Sequence, residues 1–309
     1  MLARLISYAL IGTTFFLILL GGIVHTQGAS LACPDWPLCY GMVFPPMEGD
    51  ILLEHGHRLL ASAVGLMSVA LAVLTYAMGG AIRRWALLGV ALVLGQGILG
   101  GLTVLYRLPP PISIAHLSTS MLFFAWAVRM SWMLSPARAT PLWPAPALLV
   151  ARPALLTASA LLFAQLVLGA AVRHTHASLS CGLTAVGCND GYWPLTGPQW
   201  LQTSHRVFAL AVMAAIVWAT LPVLKHARRI DSRELRRLAL GPHILVLLQI
   251  LMGIATIQTG VHLHVVVTHL ALGALLWGNM VLLVLRTSRY RREAGNTTAT
   301  PTSFAPGQA

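Results

Sequence analysis

The chain has 309 residues, of which 57% are hydrophobic and only 9% charged, with a mean hydropathy of +0.77. Soluble domains carry about a quarter charged residues, so this composition excludes a soluble protein and calls for a polytopic membrane one. The net charge of +12 is not a nucleic-acid footprint, because the basic residues gather on one side of the spanning segments, as a topology signal does.

A spanning helix needs ~20 mostly apolar residues. Eight stretches qualify: 5–24, 56–79, 85–105, 112–134, 153–172, 203–224, 241–260 and 264–285. They are continuous runs, not the short alternating segments of a β-barrel. The first lacks an Arg/Ser-rich presequence and an obvious cleavage site, so it reads as an uncleaved helix of a bacterial plasma membrane. Of the 20 Lys and Arg residues, only Arg107 and Arg173 fall in loops opposite the basic side, and Arg58, Arg129 and Arg206 lie in or at helices. The positive-inside rule then places both termini in the cytoplasm. Segment 135–152 reads as a cytoplasmic linker, and 286–309 as a disordered cytoplasmic tail.

The first and fifth loops each hold a cysteine pair, Cys33 with Cys39 and Cys181 with Cys188. On the oxidising side of the membrane, each pair is expected to close a small disulfide. Metal binding is the rival reading, although neither pair has the short C-x-x-C spacing. A redox role is the sharper alternative, since strained, exposed disulfides are the more reducible ones.

The halves repeat. Val24 and Ala29-Ser30-Leu31-Ala32-Cys33 match Val172 and Ala177-Ser178-Leu179-Ser180-Cys181 at an offset of 148 (181 − 33), which Glu54-x-x-His57-Arg58 and Gln202-x-x-His205-Arg206 share. Further on, Gln96, Gly100 and Thr103 match Gln249, Gly253 and Thr256 at 153 (249 − 96), as do His116 and His269. The five extra residues are expected in a basic loop around 225–237. Four helices per half is an even number, so the fold class is an all-α membrane protein of two parallel-repeated four-helix bundles, 1–134 and 153–285.

Each half therefore sets two histidines at similar depth, His57 and His116 in one, His205 and His269 in the other. Paired imidazoles on facing helices can hold haem iron. Gly100, Gly101, Gly253 and Gly273 are candidates for close approach of a flat macrocycle. Arg58 and Arg206 are placed to bind a haem propionate bidentately. The remaining outer histidines, His55 among them, read as interfacial or loop residues. The halves differ at one position of consequence: Glu54 can carry a proton, and Gln202 cannot.

With its Cys33-Pro34-Asp35-Trp36-Pro37-Leu38-Cys39 loop, Glu54-x-x-His57-Arg58, Ala115-His116-Leu117, Ser204-His205-Arg206 and Thr268-His269-Leu270, the chain resembles the haem A synthase family across both halves. The resemblance implies oxidation of the C8 methyl of haem O to a formyl group, giving haem A for terminal oxidases. It implies that His57 and His116 flank the substrate haem with Glu54 close to the chemistry, and that His205 and His269 are axial ligands of a haem b. It also matches Cys33 and Cys39 to a pair implicated in activity, and makes a complex with the haem O-producing farnesyltransferase an expected partnership. The electron acceptor, the oxygen source and any homo-oligomer are left open. Two rivals come from other classes. A di-haem b, quinol-oxidising electron-transfer protein explains the histidines but not the Glu/Gln asymmetry. A transporter built on parallel repeats would hold no haem.

Overall fold

The computed structural model describes residues 1–136, 146–188 and 191–287. Among these it is all-helical, with no strand and two isolated bridges, Cys39 with Met42 and Cys188 with Gly191. The helices are α1 (Leu2–Thr26), α2 (Gly49–Tyr76), α3 (Gly80–Leu105), α4 (Pro110–Leu134), α5 (Pro146–His174), α6 (Gly197–Arg229), α7 (Arg233–Gln258) and α8 (Leu263–Thr287). All eight are long and apolar enough to cross a membrane.

The apolar runs locate every helix but not every end. Hydropathy marks the part of a helix that sits in lipid, whereas the helix itself continues wherever its hydrogen bonds do. So α2 begins at Gly49, and the polar stretch through Glu54 and His57 is already helical, with Asp50 complementing the helix dipole in its first turn. The linker expected over 135–152 is shortened in the same way, because α5 begins at Pro146, Pro being well suited to a first turn. Residues 137–145 and the tail from 288 lie outside the described residues.

The loop expected around 225–237 is corrected more sharply. Helix α6 runs to Arg229, and α7 starts at Arg233 with the Ser232 hydroxyl accepting the Leu235 N–H at 3.3 Å. Only Ile230, Asp231 and Ser232 turn the chain. Lys and Arg are good helix formers, and they sit favourably at the negative end of α6. The five extra residues therefore lengthen a helix: α6 has 33 residues and α2 has 28. Their starts differ by 148 (197 − 49) and their ends by 153 (229 − 76).

Helices α1–α4 touch in a closed ring, α1 with α2, α2 with α3, α3 with α4 and α4 with α1. Helices α5–α8 do the same. The rings meet through α4 with α8, α4 with α5, and α1 with α8. Where lipid is as apolar as leucine, close packing and polar bonds hold helices together. At the seam Trp277 Nε1 donates to the Met121 carbonyl at 2.8 Å. Arg173 of α5 donates to the Gly22 carbonyl at 2.8 Å and the Thr26 hydroxyl at 2.5 Å on α1. Gly22 itself lets Leu270 come so close that a Cβ there would stand 2.6 Å from it.

Candidate functional site

Both cysteine loops are built to one plan. After α1, Gly28 takes a left-handed φ of 75° and opens a 3-10 turn, Ala29–Leu31, that delivers Cys33. After α5, His176 takes φ of 58° and opens the turn Ala177–Leu179 that delivers Cys181. Disulfides Cys33–Cys39 and Cys181–Cys188 close both loops. The next helix then reaches back. Glu54 Oε2 accepts the Cys33 N–H at 2.8 Å, and Gln202 Oε1 accepts the Cys181 N–H at 2.8 Å. An oxygen acceptor is what the two positions share. The charge is what differs.

That charge reorganises the arginine one turn later. Arg58 pairs with Glu54 and donates to the carbonyls of Asp35 (2.7 Å), Leu38 (2.5 Å) and Cys33 (3.4 Å). It is thus a clamp on the first loop. Arg206 pairs with no carboxylate among the described residues, and the Gln202 amide donates to the Ser178 carbonyl. One Arg206 nitrogen donates to the Gly187 carbonyl at 3.0 Å. Its Nε and Nη2 are buried with no partner among the described residues, and a buried charged donor left unpaired is costly. The two arginines therefore differ in their partners among the described residues.

Asp35 fixes the first loop from its surface. Its carboxylate accepts the N–H of Gly41 at 2.9 Å and of Tyr40 at 2.6 Å. The Gly41 bond, more than any other contact, holds the carboxyl below its ordinary value of 3.8.

The four histidines each lean on a glycine of the preceding helix. A Cβ on Gly21 would stand 3.0 Å from the His57 ring, on Gly100 3.3 Å from His116, on Gly169 3.0 Å from His205, and on Gly253 3.2 Å from His269. Gly100 and Gly253 stood out in the sequence as small residues. Gly21 and Gly169 did not, although their separation of 148 (169 − 21) was there to be read. Gln249 Nε2 lies 3.2 Å from His269 Nε2, and Gln165 Nε2 lies 3.1 Å from His205 Nδ1. Gln96, with its amide turned to accept from Thr119, reaches His116 Nδ1 at 3.1 Å. These amides are the ring partners that no motif identified. Gln96 and Gln249 are repeat equivalents, and Gln165 has no counterpart, since Leu17 stands at its repeat position.

A cavity of about 1150 Å³ opens in the second half. His205, His269, Gln165, Gln249 and Arg206 line it, and it reaches His25 and Thr26 at the end of α1 and Ser118 on α4. The volume exceeds the ~300–1,000 Å³ of an ordinary small-molecule pocket. Two imidazoles on α6 and α8, a mostly apolar wall and an arginine with spare donors fit an iron macrocycle that carries carboxylates. His57 and His116 do not line this cavity. The first loop's Trp36 packs on Gly101, the neighbour of the Gly100 that touches His116, so closely that a Cβ there would meet the indole at 2.8 Å. His55, expected at the interface, is instead 3% exposed inside α2.

The family model of cytochrome oxidase assembly proteins, COX15-CtaA, matches residues 4–52 and 50–281. The chain is 27% identical to a protein named heme A synthase from Bacillus licheniformis, over 90% of this chain and 93% of that one. It is 26% identical to the heme A synthase of Bacillus pumilus, over 91% and 95% of the two chains. It is also 28% identical to that of Halalkalibacterium halodurans, over 86% and 90%.

Proposed function

The chain belongs to the cytochrome oxidase assembly protein family, and we propose from that premise that it is a haem A synthase. It is a bacterial multi-pass membrane oxidoreductase that converts haem O to haem A.

In our reading the halves divide the labour. His205 and His269 hold a haem b in the large cavity, with Arg206 on a propionate. The bound haem b supplies a one-electron relay. Gln165 and Gln249 hold the two rings in place through their side-chain amides. His57 and His116 flank the substrate, haem O, and Arg58 serves that site by clamping the first loop. We read 1–134 and 153–285 as duplicated four-helix bundles, with both termini cytoplasmic and the cysteine loops on the outer side.

The observation that carries the division is the Glu54/Gln202 pair. Converting a methyl to a formyl group replaces two C–H bonds with a C=O bond, so the carbon gains an oxygen from a donor such as water while electrons and protons leave, and the substrate side needs a proton acceptor. Glu54 is the buried acid among the described residues, 4% exposed, one helical turn from His57. In our reading it is the proton acceptor of that side, while its bonds to Cys33 and Arg58 keep it in place. Gln202 holds the second loop in the same way without that capacity, which suits a site that only passes electrons. We propose the haem O-producing farnesyltransferase as the supplier of substrate. The rival electron-transfer reading leaves Glu54 only its structural bonds to Cys33 and Arg58.

The test is conversion itself. In a host that makes haem O but not haem A, expression of the chain is expected to yield extractable haem A. Haem O left unchanged, with the protein present in the membrane, contradicts the proposal.

A further inference from the structure

Beside the first disulfide lies a set of donors that the reaction above does not use. The sulphurs of Cys33 and Cys39 and a ring nitrogen of His55 all lie within 4.8 Å of one another, and all three residues are buried. His55 Nε2 is 2.8 Å from the Val43 carbonyl. A carbonyl only accepts, so Nε2 carries the ring proton and Nδ1 offers a lone pair. That Nδ1 is buried with no partner among the described residues. An imidazole anchored on a backbone carbonyl by its far nitrogen is the usual arrangement of a metal-ligating histidine. The second loop is an internal comparison. Thr203 stands at the repeat position of His55 (203 − 55 = 148), with its hydroxyl 3.7 Å from Cys181 Sγ. The imidazole therefore belongs to the first loop alone.

We propose that, when the Cys33–Cys39 bond is reduced, Cys33, Cys39 and His55 bind one cuprous ion. Thiolates are soft ligands that select Cu(I) or zinc. Structural zinc takes four protein ligands, and no fourth joins this group among the described residues. Three donors of this kind suit Cu(I). Two thiolates and Cu(I) leave a net negative charge, and Arg58, bonded to the carbonyls of Asp35, Leu38 and Cys33, sets a positive one beside it. The chemistry balances with an external dithiol. It gives two electrons and two protons to the sulphur–sulphur bond and becomes a disulfide itself. The cuprous ion then displaces the two thiol protons. The oxidised loop has no thiolate to offer, so the site opens only on reduction.

The test uses full-length protein in detergent, reduced with a phosphine and titrated with Cu(I) against bicinchoninate. His55→Thr installs the residue that the second loop already carries at this place, and its haem spectrum reports whether it is folded. The reduced wild type is expected to hold one Cu(I) more tightly than reduced His55→Thr by roughly tenfold or more, the loss that even an outer-shell change brings. Unreduced protein is expected to surrender its copper to the chelator. X-ray absorption of the wild-type complex is expected to find nitrogen alongside sulphur, a readout that stands even if the variant does not fold. Equal retention by the two proteins, sulphur-only ligation, or no retention on reduction overturns the proposal. None of these outcomes touches the haem O reading, which conversion tests separately.

Discussion

At the residue scale, the protein contains its own control for Glu54. Gln202 shows that an amide can accept the cysteine N–H at 2.8 Å, as Glu54 does. Glu54→Gln should therefore keep the loop in place and remove only the charge. We expect haem b to stay bound while haem A formation falls about 100-fold or more, the usual contribution of a positioned acid or base. Chromatography of extracted haems checks it, and normal haem A yield would remove the proposed role. The reverse change argues from the same geometry. Gln202→Glu would offer Arg206 the carboxylate that Arg58 already has, in competition with a propionate. Lower haem b content by pyridine haemochromogen assay is the expected outcome, and an unchanged content would show that Arg206 does not hold the haem.

The glycines make a second prediction at this scale. Gly169→Ala puts a Cβ 3.0 Å from the His205 ring, whereas Gly12 has nothing within 4 Å. Overpacking costs ~1–3 kcal/mol, here in the placement of the proposed ligand. Gly169→Ala is expected to shift or weaken the haem b spectrum, and Gly12→Ala to leave it alone. The histidines themselves could be read from the sequence because they recur at fixed offsets. Their amide and glycine partners were harder to read, because small or neutral residues are common in any membrane helix.

At the scale of elements, hydropathy located all eight helices and misplaced the ends where polar residues continue a helix. The stretch 225–237 looked like a loop because it is charged, and it is almost entirely helix for the reasons that make Arg and Lys good helix formers. The cysteine loops were legible as small closed loops, but not the way Glu54, Arg58 and Asp35 tie the first one down. That wiring runs to backbone groups, which no residue pattern records. Asp35 gives the loop a pH dependence of definite sign. Its folded value lies below 3.8, so its contribution is complete above that value and fades as pH falls through the depressed one. The loop should therefore keep its grip throughout the neutral range. Reduction of the Cys33–Cys39 bond by a phosphine, normalised to a free disulfide at each pH, should be flat from neutral to mildly acidic pH and rise only in strong acid, and Asp35→Asn should raise it across the neutral range. A rise already centred near neutrality would point to another group.

At the scale of the molecule, two rings of four helices share a plan and differ in what each can do. The first carries a buried carboxylate, a clamped loop and the histidines His57 and His116. The second carries an open cavity, an arginine with spare donors and two histidines with amide partners. The repeat offsets and the Glu/Gln difference in the sequence are what suggest a duplicated molecule with divided tasks. The cavity was not legible, since it arises from how α5–α8 pack against α1 and α4. The measurement that bears most directly on this division is chromatography of the haems extracted from purified wild type, His205→Ala and His57→Ala. The account expects haem b together with haem O or haem A in the wild type, loss of haem b in His205→Ala, and haem b retained in His57→Ala. Haem b that survives in His205→Ala but disappears in His57→Ala, or a wild type with no haem at all, would contradict it.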